Sequence, residues 1–501
     1  MADEPSKPAS SADTDTARKL QLAVDKLLAR APATSEGSVT LAGRREPLHY
    51  QARAEFLPVM AQGFDGVVAE PQAAVLATSY QAKGERRIDR PVCFAFNGGP
   101  GSASVWLHLG ALGPKRIVVP DDSSAARAPH QVVDNPLTWL EHFDLVFIDP
   151  PHTGWSVCAS EAARKRMLGV DGDVEALTEV VRVWLTRHQR WGSPVYLAGE
   201  SYGTTRGAAL ADTLQVAGVG LSGLILISCA MDLQTLEFSG ANELAYALFL
   251  PAFAAVSQYH GLLKGPLGES PVAARAAAEA FVADEYLSAL HAGSRLNAQG
   301  RNRLARRVAE LTGLPQGLVL DHNLRISDQT YFFEALRPQG RMVGRLDARA
   351  TGPMGATRGR TWEFDPGIEA IAPAYTAAAM AYFGQTLGLS MEQRFEVLSG
   401  ATHKAWNWNR GDSTDSGFAS TTRDLARALR RNPHLRVLVA SGHYDLGTPY
   451  SATDWSLAHL DISPEVAARI THRYYDAGHM MYTRSDDLAQ LKSDLAAWLV
   501  A

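Results

Sequence analysis

The chain has 501 residues, 46% hydrophobic and 20% charged, which is enough apolar material for a large core in one large domain or two to three ordinary ones. Lys plus Arg (48) nearly balance Asp plus Glu (53), and a net charge of −5 argues against nucleic acid or an anionic membrane as partner. Three cysteines, Cys93, Cys158 and Cys229, without C-x-x-C spacing exclude a disulfide-built scaffold and read as buried, reduced thiols.

No run of about 18 apolar residues is present, so no transmembrane helix is expected. Residues 1–16 lack the basic start and apolar run of a signal peptide. As it stands the chain reads as cytoplasmic; it reads as periplasmic or secreted if a leader has been removed. Residues 1–38 read as a mobile polar tail with one short helix around 20–28.

Beyond the tail, strand-like runs stand at 73–80, 92–96, 145–149, 195–198, 224–228, 437–440 and 471–475. Between two of them, Val174, Leu177, Val181, Trp184 and Leu185 repeat at helical spacing within 173–190. Near-continuous apolar strands separated by amphipathic helices predict an α/β fold, a mixed, mostly parallel sheet covered by helices on both faces. The rhythm breaks between about 240 and 425, where 271–290 and 303–311 have helical period and 338–360 looks like loops. The expected organisation is a core, 39–242, interrupted by a mostly helical cap, 243–424, and completed by 425–501.

Three segments carry chemistry. Directly after the strand at 92–96, Asn97-Gly98-Gly99-Pro100-Gly101-Ser102 exposes bare backbone that can aim N–H groups at a developing oxyanion. No Gly-Lys-Ser/Thr follows it, which argues against a phosphate loop. Next comes Gly199-Glu200-Ser201-Tyr202-Gly203, a G-x-S-x-G between a short apolar strand and a helix over 204–215. That setting lifts a serine Oγ out of a sheet, although an ordinary turn with a capping serine has the same spelling. A serine needs a base held in one tautomer, and in the α/β-hydrolase order the acid and then the histidine follow it. Asp445 and His479 each follow a predicted strand and keep that order; His443 precedes Asp445 and breaks it.

Together these segments resemble the serine carboxypeptidases, peptidase family S10 of the α/β-hydrolase superfamily. Asn97-Gly98-Gly99-Pro100-Gly101, Asn135-Pro136-Leu137-Thr138-Trp139, Asp149-Pro150-Pro151-His152-Thr153-Gly154-Trp155-Ser156, Glu200-Ser201-Tyr202-Gly203 and Ala477-Gly478-His479-Met480 are similar to five of its motifs, in order. They cover about 90–240 and 430–485, and the few cysteines and the 40–96 region look most like its bacterial members. The resemblance implies an α/β-hydrolase fold and release of C-terminal residues from peptides through an acyl-enzyme. It implies Ser201 as nucleophile, His479 as base and Asp445 as orienting acid, with the N–H groups of Gly99 and Tyr202 as oxyanion hole. It also implies that Asn97, Gly98 and Glu200 hold the terminal carboxylate, that Met480 lines the pocket for the departing residue, and that no metal or organic cofactor takes part.

The departures are specific. Glu200 binds a carboxylate well only when protonated, and the family supports that proton with a second glutamate, at the position of Ala111 here. Thr204, Ser102, His152 and Tyr482 replace a glycine, a cysteine, a glycine and a proline of the family. Ala111 favours an alternative, an esterase or acyltransferase with the same triad. A second alternative is a catalytically silent binding protein using Trp362, Trp406 and Trp408, although these read more simply as cap core or pocket lining. Side-chain preference, natural substrate and oligomeric state are not legible in the sequence.

Overall fold

Alternate side chains along each central strand enter two different cores. Phe94 and Phe96 face one, Cys93 and Ala95 the other; Val437 and Val439 face one, Leu438 and Ala440 the other. A sheet buried on both faces in this way needs apolar residues at every position, which is why its strands read as continuous runs. The computed structural model describes residues 11–60, 70–84, 88–240, 242–411 and 417–501.

The strands are β1 (Ala33–Thr40), β2 (Pro47–Met60), β3 (Pro71–Ala82), β4 (Val92–Phe96), β5 (Asp144–Ile148), β6 (Val157–Cys158), β7 (Val195–Ser201), β8 (Leu221–Cys229), β9 (Arg436–Gly442) and β10 (Ile470–Tyr475). They form one ten-stranded sheet in the order β1-β2-β3-β5-β4-β7-β8-β9-β10, with β6 beside β3. The pairs from β1 to β5 along that order are antiparallel, and every pair from β5 to β10 is parallel. One face carries the helices Val170–Arg187, Tyr202–Val216 and Thr422–Arg431; the other carries Ser485–Val500. Every strand expected from the sequence falls on an observed one.

Three expectations change. The tail read over 1–38 holds the helix Ser11–Leu28, whose Val24 is fully buried, and β1, which pairs with β2 over all eight of its residues; positions 1–10 lie outside the described residues. Sparse apolar content hid β1 and the amino-terminal half of the helix, whose carboxy-terminal half is the helix expected at 20–28, because each element buries only a narrow stripe on a larger surface. The stretch 338–360 contains a small hairpin, Arg341–Val343 with Thr351–Pro353, rather than loops alone. The mostly helical stretch between β8 and β9 also serves two cores. Residues from Ala247 to Val343 gather with Tyr444, Leu446 and Tyr450, while Tyr375, Tyr382 and Phe383 pack into the core over the sheet. Among the described residues no helix is long and apolar enough to cross a membrane.

At the amino ends of β4 and β5 a buried carboxylate joins three segments. Asp144 accepts from Arg90 Nε at 2.9 Å, Arg190 Nη1 at 2.5 Å and the Ala82 amide at 3.0 Å. Both guanidinium groups are almost fully buried. Removing the carboxylate takes a buried anion away from two buried cations, so Asp144→Ala is expected to cost about 3–5 kcal/mol, read as a lower urea midpoint. A loss below about 1 kcal/mol would contradict this account of the sheet's far end.

Candidate active site

β7 ends at Ser201, whose φ of 61° and ψ of −131° put a non-glycine residue in a sparsely populated backbone region between strand and helix. The turn closes only because its flanking positions lack side chains. A Cβ on Gly199 would lie 2.2 Å from the Gly203 carbonyl oxygen, and one on Gly98 would lie 2.4 Å from the Tyr202 amide nitrogen. The second contact shows that the glycine loop after β4 packs directly against the start of the helix that follows Ser201.

Buried ionic and polar contacts fix that junction. Arg206 donates through Nε to Asp173 at 2.7 Å and through Nη1 to the Asn97 carbonyl at 2.6 Å. Its guanidinium lies 5.4 Å from the Phe96 ring centre and 5.2 Å from that of Tyr202. The Asn97 side chain accepts from the Leu107 amide at 3.0 Å and donates to Glu200 Oε1 at 2.9 Å. Asn97, Gly98 and Glu200 are thereby held beside one another.

Asp445 follows β9 and is fully buried. Its Oδ1 accepts from the amides of Gly447 (2.7 Å) and Thr448 (3.0 Å); its Oδ2 accepts from Thr448 Oγ1 (2.6 Å) and pairs with His479 Nδ1 at 2.7 Å. Burial alone raises a carboxyl pKa, but the His479 charge and these hydrogen bonds outweigh it and hold Asp445 below the ordinary carboxylate range. Burial likewise disfavours a charged imidazole, and Asp445 reverses this, raising His479 above its usual value. The His479 backbone is pinned at both ends: its amide donates to the Leu346 carbonyl at 2.7 Å and its carbonyl accepts from Ser228 Oγ at 2.5 Å. His443 instead meets Asp476 at 3.1 Å and stacks on Tyr474.

Asn97, Gly98, Glu200, Ser201, His479 and Met480 line one cavity of about 320 Å³. Tyr202, Phe249, Trp408, Leu446 and Thr448 line a second of about 550 Å³. Gly99, Ser201, Arg345 and His403 belong to both. Ser201 and His479 thus face one space, with no hydrogen bond joining their side chains among the described residues. A larger cavity of about 850 Å³, between the helix Ser11–Leu28 and residues 390–402, touches none of Ser201, Asp445 or His479. Among the described residues no cluster of three or more His, Cys, Asp or Glu side chains suits a metal ion. The three cysteines are free and buried. Trp406 and Trp408 pack edge-on against the Tyr202 ring, and Trp362 packs on Phe332 and Phe333.

Sequence reasoning missed Thr448, Arg206, Arg345 and His403. The first two flank the motifs closely enough to be noticed; the others lie in a stretch whose placement no local pattern discloses.

Residues 78–220 match the family model described as serine carboxypeptidase. The sequence matches none of the curated proteins compared with it. Among solved structures, Kex1(Δ)p, a prohormone-processing carboxypeptidase from Saccharomyces cerevisiae, is similar at 14% identity and a TM-score of 0.56, over 90% of this chain and 91% of that one. Esterase E22 aligns at 9% identity and a TM-score of 0.38, over 90% of this chain and all of the other (100%). The peroxisomal α/β-hydrolase Lpx1 of the same yeast aligns at 10% identity and 0.34, over 94% and 90%. The fold is that of the α/β-hydrolases, as expected from the sequence.

Ala111 is fully buried, in the turn His108–Leu112, and two phenols crowd the position before it. A Cβ on the preceding Gly110 would lie 2.5 Å from the Tyr375 hydroxyl and 2.6 Å from the Tyr482 ring. Tyr482 faces Glu200, yet neither its hydroxyl nor Glu200 Oε2 has a partner of good hydrogen-bond geometry among the described residues. Burial raises the Glu200 pKa from 4.5 to about 7, against the opposing pull of His479. A carboxyl with a raised folded-state pKa contributes stability that is complete below about 4.5 and is lost as pH climbs through 7. Glu200→Gln is therefore expected to gain about 3 kcal/mol on the wild type between pH 4.5 and 7.5, at 1.36 kcal/mol per pKa unit. Urea denaturation of both proteins across that range checks it; a pH-independent difference would refute the ionisation.

Proposed function

We propose that this chain, a member of the serine carboxypeptidase family through residues 78–220, is a hydrolase that releases C-terminal residues from peptides through an acyl-enzyme on Ser201. The observation that carries this reading is the buried 2.7 Å pair of Asp445 and His479, of which His479 lines the same small cavity as the strained Ser201 and Glu200. An Nδ1 proton donated to Asp445 leaves His479 Nε2 free to accept one. On attack, Ser201 Oγ passes its proton to Nε2, and the tetrahedral oxyanion is met by the N–H groups of Gly99 and Tyr202. His479 then gives the proton to the departing amine, and water repeats the sequence in reverse to free the shortened peptide.

Recognition of the chain end falls to the Glu200 side. Protonated Glu200 donates to the terminal carboxylate, Asn97 holds Glu200 in place, and the Gly98 backbone lines the same cavity. Met480 lines the space for the departing side chain. Ala111 favours a second reading, an esterase or acyltransferase on the same triad, because the family's supporting carboxylic acid is absent.

A fluorophosphonate is expected to label the wild type and not Ser201→Ala, with peptide turnover falling about 10⁴-fold or more. A blocked dipeptide with a free carboxyl should be cleaved and its amide left intact; hydrolysis of a carboxylic ester with neither peptide cleaved would select the esterase reading. Because Glu200 titrates near 7, KM for the free acid should rise above that pH, and Glu200→Gln should flatten the rise. Equal pH dependence in both proteins would remove Glu200 from carboxylate binding.

A further inference from the structure

Arg345 is the one Lys or Arg among the residues lining the two cavities that meet at Ser201. Its side chain is exposed to that space and makes no ion pair or hydrogen bond among the described residues. Its backbone, by contrast, is fastened to both loops of the triad. The Arg345 carbonyl accepts from the Leu446 amide at 3.0 Å, next to Asp445, and the Leu346 carbonyl accepts from His479. The Arg345 amide donates to Asp365 at 2.9 Å, and its Cζ would lie 3.6 Å from a Cβ on Gly447.

The nearby acids make no direct ion pair with this charge among the described residues. The Asp365 carboxylate is occupied by the amides of Arg345, Leu346 and Gly367. Asp328 and Glu237 line only the cavity of about 550 Å³; Arg345 draws on the Asp328 and Asp365 carboxyls through space, but neither lies within ion-pair distance of its guanidinium among the described residues. A guanidinium held at a cleft without a protein anion is a ready fork for an incoming one.

We propose that Arg345 binds a carboxylate of the substrate beside the scissile bond, so that the site selects acidic peptides. The proposal rests on the reading of Ser201 as the nucleophile of a peptide-cleaving site. Two sources share this chemistry, an acidic side chain on the last residue and one on the residue before it; the terminal carboxyl, assigned to Glu200, serves as the control.

Calorimetric binding to Ser201→Ala protein separates them, with and without Arg345→Met. The ligands are blocked peptides compared in pairs: free acid against amide, Glu against Gln at the last position, and Glu against Gln at the penultimate position. One of the two Glu/Gln pairs is expected to show a preference for the acid of about tenfold, which Arg345→Met abolishes and Arg345→Lys partly restores; that pair identifies the source, and the free-acid preference stays unaltered. Acid preferences that are all unaltered by Arg345→Met, or failure of every peptide to bind, would overturn the proposal. A thermal melt confirms that each variant is folded. Since binding requires no turnover, a collapsed preference without peptidase activity in the wild type would sink the peptidase reading and leave the Arg345 site standing. Peptidase activity with unaltered preferences would do the opposite.

Discussion

The arrangement depends on a carboxylate kept charged where water cannot reach it. Asp445 is fully buried, and an isolated carboxylate there would neutralise itself by taking up a proton. Two backbone amides, the Thr448 hydroxyl and the His479 ring supply what water would have given. Each partner then sets the state of the other: the ring keeps the acid ionised, and the acid keeps the ring oriented with Nδ1 toward it. The same contact ties the loop after β9 to the loop after β10, and Arg345 and Leu346 thread between them through backbone bonds to Leu446 and His479. Local stability and chemical readiness therefore have one origin.

Beneath the serine a second ion pair does comparable work for the other half of the site. Arg206 and Asp173 are almost fully buried, so their charges are supportable only together. Arg206 also reaches the Asn97 carbonyl and lies against the Tyr202 ring, which joins the glycine loop to the turn at Ser201. The backbone strain at Ser201, of order 1–3 kcal/mol for such a conformation, is held by the strand on one side and the buried helix on the other.

How much of this was legible in the sequence differs from one element to the next. The central strands declared themselves because burial on both faces demands unbroken apolar runs, as in β4 and β9. β2 did not, since its inward stripe includes Ala52 and Ala54, whose small side chains give a weak alternating signal. The helices between β8 and β9 announced their period but not their partners, and they divide between two cores. At Ala111 the sequence disclosed a missing acid; that Tyr375 and Tyr482 crowd the neighbouring Gly110 follows from segments far apart along the chain.

By itself the sequence determined the turn at Ser201 and the bare loop at Asn97–Gly101, because both are governed by steric contacts within a few residues and by the absence of Cβ atoms. Only the tertiary structure decided which histidine meets Asp445. His479 and His443 flank it in the chain, but the meeting of the loops after β9 and β10 puts His479 against the carboxylate and leaves His443 with Asp476. The placement of Arg345 has the same cause. Charge pairing acts through space, across loops that the parallel strands bring together, and no local pattern of residues encodes that proximity.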